Sequence, residues 1–458
     1  MSQKNTLLTG NINRVYTAYL IPTLLAMVSA SIYVIADVLF VATYLGENSL
    51  AAFNICMPIY TCYSAVSLLF GVGASTTISI CAGRGDLESA NKVFSLSLLL
   101  VLIISVLSSL LGIVFITPFA YALGSTKEIL PLVIEYILPV HSMSTFYMLS
   151  MFFQVIIRAD YNPKLVMGAS IVGNLVNIGL DYLFMVELRM GLRGASIATG
   201  IGPIITFMLL MTHYIFKKNN IKLRKIRFER DILMSIIKNG SGSCILEFTS
   251  GTVIFLFNFA LLRVSGSDAV AIYAIVSNIA FIGKCLFSGI AQAAQPLISV
   301  NYGAQSFIRM KKSTSLSIRV SIFVAIFSYI MIILFPETIM SIFIGQYEHL
   351  ISRAGRILII YFASFVFTGM NTSIMYYFQS TGNAKISSLM SVSRGFLLII
   401  IGLLMFSTTL GEIGVWITIT FAEVLTFLVA YPLKRRYDTY LVERYNPVND
   451  MTFTMNAD

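Results

Sequence analysis

Long apolar runs, each closed by a short polar or basic stretch, recur twelve times along the chain. They lie near 15–42, 50–80, 93–118, 131–157, 165–186 and 194–216. After a polar gap they resume near 235–262, 269–300, 317–343, 355–379, 387–409 and 412–433. Each is long enough for the roughly 20 mostly apolar residues that a membrane-crossing helix needs. In lipid the backbone must satisfy its own hydrogen bonds, which a helix does within one segment. The pattern predicts an all-α integral membrane protein of twelve transmembrane helices.

The pattern is also written twice. "LGENSLAAFNI" (45–55) sets above "SGSDAVAIYAI" (265–275), so that Gly46 meets Gly266 and Ala51 meets Ala271. Nearly the same shift lays "RADYNPK" (158–164) on "QSTGNAK" (379–385), "GLRGASIA" (191–198) on "GEIGVWIT" (411–418), and Gly83 on Gly303. One nearly constant offset along the chain signals internal duplication. The expected organisation is two six-helix lobes, 1–216 and 232–436, joined by a cytoplasmic linker at 217–231 and followed by a cytoplasmic tail at 437–458. An even helix count gives both lobes the same orientation, related by a pseudo-twofold axis along the membrane normal. Transporters built this way bind substrate near the midplane.

Composition agrees, with 57% hydrophobic and 11% charged residues against about 25% charged in soluble domains. A net charge of +10 raises the question of nucleic acid, but its placement answers it. With a cytoplasmic amino terminus, most Lys and Arg fall in the inside segments, from Lys4 and Arg14 through the 217–230 cluster, Arg227 included, to Arg444. That is the positive-inside distribution, with both termini cytoplasmic in a cell membrane. No nucleic-acid partner is expected. Five cysteines scattered through the spans show no CxxC spacing and no histidine companion, so neither a disulfide nor a metal is expected. The first span is too long for a cleaved signal.

Acids inside such spans carry the most information, because a charge at a helix centre costs about 2.5–3.5 kcal/mol on insertion scales. Asp37 sits in "SIYVIADVLFVATYLG" with Tyr33 one turn earlier, and Pro22 upstream is expected to bend that helix. In the fifth span Ser170, Asn174, Asn177 and Asp181 recur at spacings of 4, 3 and 4, one polar stripe down an apolar helix. Ser196, Thr199 and Thr206 make a similar stripe in the sixth span, beside Pro203. Carboxylate, amide and hydroxyl oxygens suit a hard cation such as sodium, and they suit a shared proton equally. Glu247 is a third intramembrane acid, and Lys284 is read as the only internal cation, which favours cationic cargo. No HExxH, GxSxG or acid–histidine pairing at helical spacing points to an enzyme, and no catalytic residue is assigned.

Read in order, "IP" (21–22), "IAD" (35–37), "LFGVGASTTIS", "GRGDLESA", "QVIIRADYNPK", "NLVNIGLDYLF", "GLRGASIAT", "GIAQAAQPLISVNYGA" and "YYFQSTGNAK" resemble the multidrug and toxic compound extrusion (MATE) family across nearly the whole chain, its bacterial drug-efflux branches above all. The resemblance implies a secondary active antiporter that exports amphipathic, cationic organic compounds by alternating access, driven by H⁺ or Na⁺. It carries the family's first-lobe cation site onto Asp37, Asn177, Asp181 and Thr199, with Tyr33 alongside. A helix 7 glutamate joins a second-lobe cation site in one branch. Glu247 fits that position, yet the tenth span has no acid to complete it. Glu247, Asn174 and Gln292 are secondary candidates for substrate binding or coupling. The expected partners are small organic substrates and membrane lipids, the expected state a monomer, and no cofactor beyond the coupling ion is implied. The alternative reading is a flippase for a lipid-linked oligosaccharide or related lipid precursor, whose families share the helical plan.

Overall fold

The computed structural model describes residues 3–225, 228–344 and 350–444. Arg227 and positions 445–458 of the expected tail lie outside the described residues. Every element among the described residues is a helix. The spans are α1 (Ile12–Tyr44), α2 (Gly46–Arg84), α3 (Leu87–Val114), α4 (Leu130–Ala159), α5 (Pro163–Asp181) and α6 (Gly191–Ile215). They continue with α7 (Arg230–Ser265), α8 (Ser267–Gly303), α9 (Phe307–Leu334) and α10 (Ile351–Ser380). The last apolar stretch, Ala384–Glu443, breaks at Gly411 (φ 60°, ψ −134°) into α11 (384–410) and α12 (412–443). Twelve spans therefore form, as the apolar runs predict.

Two of them stop before their apolar run does. Beyond α3 a separate short helix runs Ile116–Ala122, and beyond α9 another runs Pro336–Ile344. Proline has no N–H to donate and its ring meets the carbonyl four residues back. Pro118 and Pro336 therefore prevent either span from continuing, although hydropathy does not register the break.

The surface is inverted relative to a soluble protein. On α3 the buried face holds Ser95, Ser97, Ser105 and Ser109, while Leu102, Ile103, Leu107, Leu110 and Leu111 are exposed. Hydroxyls turned inward bond to helix carbonyls, and leucines turned outward meet lipid at no cost.

The chain forms two compact units. The amino-terminal unit comprises residues 18–78 and 87–251; the carboxy-terminal unit comprises 1–17, 79–86 and 252–458. The duplication is visible in the backbone itself. Gly46 and Gly266, which turn the chain from α1 to α2 and from α7 to α8, have φ of 80° and 78°. Gly191 and Gly411 have φ of 64° and 60°, and Tyr161 and Gly382 have 66° and 73°. Positive φ is costly for most residues, so its recurrence at matched positions means that the two halves turn in the same way.

Tyr161 holds this conformation without being glycine because its neighbours are fixed. Asp160 is fully buried and accepts from His213 Nε2 (2.9 Å) and from the backbone and side-chain nitrogens of Asn220 (3.0 and 3.1 Å), while Asn162 Nδ2 reaches His213 Nδ1 at 3.2 Å. The "RADYNPK" motif thus clamps the end of α6 and the start of the linker, which then runs along α3 through Lys222 N to Asn91 Oδ1 (2.7 Å) and Arg224 N to Ser95 Oγ (2.9 Å). In the carboxy-terminal unit Asp438 plays a similar part, held by Lys434 Nζ (2.7 Å) and the Tyr377 hydroxyl (2.6 Å).

Each buried donor left unpaired costs about 1–3 kcal/mol. Asp160→Ala is therefore expected to lower the thermal unfolding midpoint of the purified protein in detergent by several degrees, since it strands His213 and Asn220 together. An unchanged midpoint would show that the clamp carries no stability.

Candidate functional site

The amino-terminal unit brings Asp37, Asn177, Asp181 and Thr199 into one buried neighbourhood. Exposure falls to 6% for Asp37, 3% for Asn177, 0% for Asp181 and 7% for Thr199. Asp37 comes from the last third of α1, two turns before its end. Asp181 is the last residue of α5, where the helix widens into a π-helical turn over Tyr182–Glu187. Such turns often mark functional positions, because they displace a side chain from the regular stripe.

Close helix packing sets the geometry. A side chain at Gly173 on α5 would meet the Gly202 carbonyl and Thr206 Oγ1 on α6, and one at Gly202 would meet Gly173 O and Asn177 Cβ. With no Cβ at either position, α5 and α6 approach backbone to backbone. That approach carries Thr199, one turn before Gly202, to Asp37. The Thr199 hydroxyl lies 2.9 Å from Ala195 O and 3.4 Å from Asp37 Oδ2. Having one proton, it bonds chiefly to the nearer carbonyl and keeps its lone pairs free.

What remains is a set of bare oxygens. Asp37 Oδ1, both oxygens of Asp181 and Asn177 Oδ1 are buried and have no hydrogen-bond partner. The two carboxylates nevertheless stand near enough to interact directly. None of the ion pairs among the described residues includes either of them. Buried polar atoms are normally satisfied, so four bare oxygens around two acids form a cradle for a positive charge. Two carboxylates, an amide oxygen and a hydroxyl fit Na⁺, and the paired carboxylates fit a shared proton.

The other sequence candidates are placed less centrally. Tyr33 is half-buried one turn before Asp37, and Pro22 lies inside α1, buried, without interrupting it. Asn174 donates to Ser29 Oγ at 2.8 Å, tying α5 to α1. Ser170 donates to Gln154 Oε1 at 3.1 Å. Glu247 is half-buried in the amino-terminal unit with Tyr147 and Cys244 as its electrostatic neighbours. Gln292 is buried on α8, in the carboxy-terminal unit.

One expectation needs correcting. Lys284 is not the only cation inside the spans, because Arg394, ten residues into α11, is 7% exposed. Its Nε and Nη2 donate to Glu423 Oε1 (3.1 and 2.6 Å) and its Nη1 to Thr372 Oγ1 (3.1 Å). Asn371 Nδ2 takes the other carboxylate oxygen at 2.7 Å. Both residues stand in the sequence, but only an arginine ten residues into one span and a glutamate 29 positions later, well inside the next, hint at the pair. Segment counting assigns such an arginine to a loop.

A family model described as MatE matches residues 22–183 and, a second time, residues 243–404. The second match begins 221 positions after the first, the spacing of the internal repeat. The multidrug export protein MepA of Staphylococcus saprophyticus is 23% identical over 420 residues, covering 90% of each chain. The probable multidrug resistance protein YoeA of Bacillus subtilis is 22% identical over 430 residues, covering 91% of this chain and 92% of that one. Among solved structures, a crystal structure of MATE in complex with MaL6 is similar with a TM-score of 0.92, at 23% identity over 97% of this chain and 100% of that one. An outward-facing multidrug resistance MATE family transporter gives 0.90 at 24% identity over 96% and 98%. These likenesses show the fold.

Packing at Gly173 generates a direct prediction. Gly173→Val forces α5 away from α6, and overpacking of this kind costs about 1–3 kcal/mol. The variant is expected to unfold at lower temperature and to lose cation-dependent stabilisation together. A variant of wild-type stability would contradict the close approach.

Proposed function

The chain belongs to the MatE family of multidrug efflux transporters, and on that premise we propose that it is a secondary active antiporter exporting amphipathic organic compounds, cations among them, in exchange for H⁺ or Na⁺ held between Asp37 and Asp181. It is a transporter and not an enzyme, and its many apolar helices make it a multi-pass membrane protein. The observation that carries the reading is the set of bare, buried oxygens of Asp37, Asp181 and Asn177.

The steps follow from those residues. Two carboxylates in a lipid-shielded site repel, and a proton or Na⁺ between them removes the repulsion and draws α1 towards α5. Thr199 and Asn177 supply the remaining oxygens. Pro22 leaves the Ala18 carbonyl without its helical donor, so α1 has a weak point between its first turns and Asp37 where it can bend. Ion loading and release would then favour different conformations of α1, and a substrate that binds one of them would exchange with the ion. The positive-inside distribution supports cytoplasmic termini, so that export runs from the side where Arg84, Lys92 and Lys164 lie.

The flippase alternative has less support. The relatives MepA and YoeA are named as multidrug proteins, and Arg394 is consumed by Glu423 rather than offered to an anionic lipid.

Asp37→Asn and Asp181→Asn are expected to reach the membrane in wild-type amounts, because neither carboxylate holds a structural ion pair, and to lose gradient-driven export at least a hundredfold. Proteoliposomes loaded with a cationic dye, given proton and sodium gradients in turn, measure this. Wild-type export by both variants would remove the reading.

A further inference from the structure

Lys284 stands at the midpoint of α8, a membrane-crossing helix, and is exposed although it is densely surrounded by protein. Its electrostatic neighbours are Glu423 and Arg394, both buried in the carboxy-terminal unit. Lys284 is thus accessible to a ligand and has a buried ion pair for its charged neighbours. Glu423 is already engaged by other donors. Its Oε1 takes two donors from Arg394 and its Oε2 takes Asn371. Arg394 offsets the charge of Glu423, and no hydrogen bond or ion pair reaches Lys284 among the described residues. One positive charge is therefore left over in this unit, at mid-membrane depth, with three N–H donors unspent. Intramembrane charges of this kind mark functional positions by default, and the partner of an ammonium is an anion.

We propose that Lys284 is an anion subsite of the carboxy-terminal unit that takes the carboxylate of a zwitterionic amphiphile. The inference rests on the export reading above and narrows its substrate class. Compounds carrying an acid as well as a cationic group would then be handled alongside simple cations. Arg394 and Glu423 keep the subsite in shape: their mutual bonds stop the glutamate from swinging to the lysine and cancelling it. Thr372 and Asn371, both on α10, anchor that pair from the other side.

The test uses a rhodamine with a free carboxylate and the same rhodamine as its methyl ester. Binding of each to the purified full-length protein in detergent is read by fluorescence polarisation, and transport of each is read in proteoliposomes. Lys284→Gln is expected to weaken binding of the acid about tenfold or more while leaving the ester within about twofold, since one charge-assisted hydrogen bond is lost. Lys284→Arg is expected to keep the preference. Equal losses for acid and ester, or no change for either, would overturn the proposal. So would a wild-type protein that prefers neither dye and is stabilised instead by chloride or phosphate in a Lys284-dependent way, because the occupant would then be a free inorganic anion. Should wild type transport neither dye, the export reading fails, while binding in detergent still decides the role of Lys284.

Discussion

Asp37 and Asp181 are buried near each other, with no ion pair to either among the described residues, and the proposed antiport depends on that pair being open to a cation that comes and goes. A permanent arginine would have closed the site, as Arg394 closes Glu423. Instead the chain supplies oxygens alone. The close approach of α5 and α6 at Gly173 and Gly202 puts Thr199 beside Asp37 and leaves four oxygens bare. The site is thus a packing product as much as an electrostatic one. Its charge depends on glycines that carry none.

The internal repeat shows how such a site is confined to one half. At the family-model offset of 221 positions, Asp37, Asn177 and Asp181 correspond to Asn258, Leu398 and Gly402, so the second half repeats neither acid. Gly173, one of the two glycines that let α5 and α6 touch, corresponds to Arg394, which joins α11 to α12 through its ion pair with Glu423. The two halves share a backbone, down to matched positive-φ turns, but hold their last two helices together by opposite means. One uses bare contact and keeps its acids open. The other uses a buried ion pair, and breaking such a pair by removing one partner is strongly destabilising, about 3–5 kcal/mol.

Much of this was legible in the sequence. Apolar runs located all twelve spans, because a bilayer tolerates little else for that length. The repeat offset was visible because loop glycines and their flanking residues are fixed by backbone geometry. Asp37 and Asp181 stood out because an acid in a long apolar run has few structural excuses. The helix breaks at Pro118 and Pro336 were less visible, since hydropathy continues through them. The Arg394–Glu423 pair was missed for a different reason. An arginine close to a span end looks the same in sequence whether it faces the cytoplasm or turns inward, and only the tertiary partner decides. Likewise Asn174 reads as a member of the polar stripe, while the structure spends its amide on Ser29.

The measurement that bears most directly on the paired-acid account is the number of small cations bound per purified chain, with protons counted by difference potentiometry and sodium by equilibrium dialysis. The account predicts one site, filled by a proton or by sodium, that is present in the wild type and absent when Asp181 is replaced by asparagine. An undiminished count in that variant, or no site for either ion in the wild type, would contradict it.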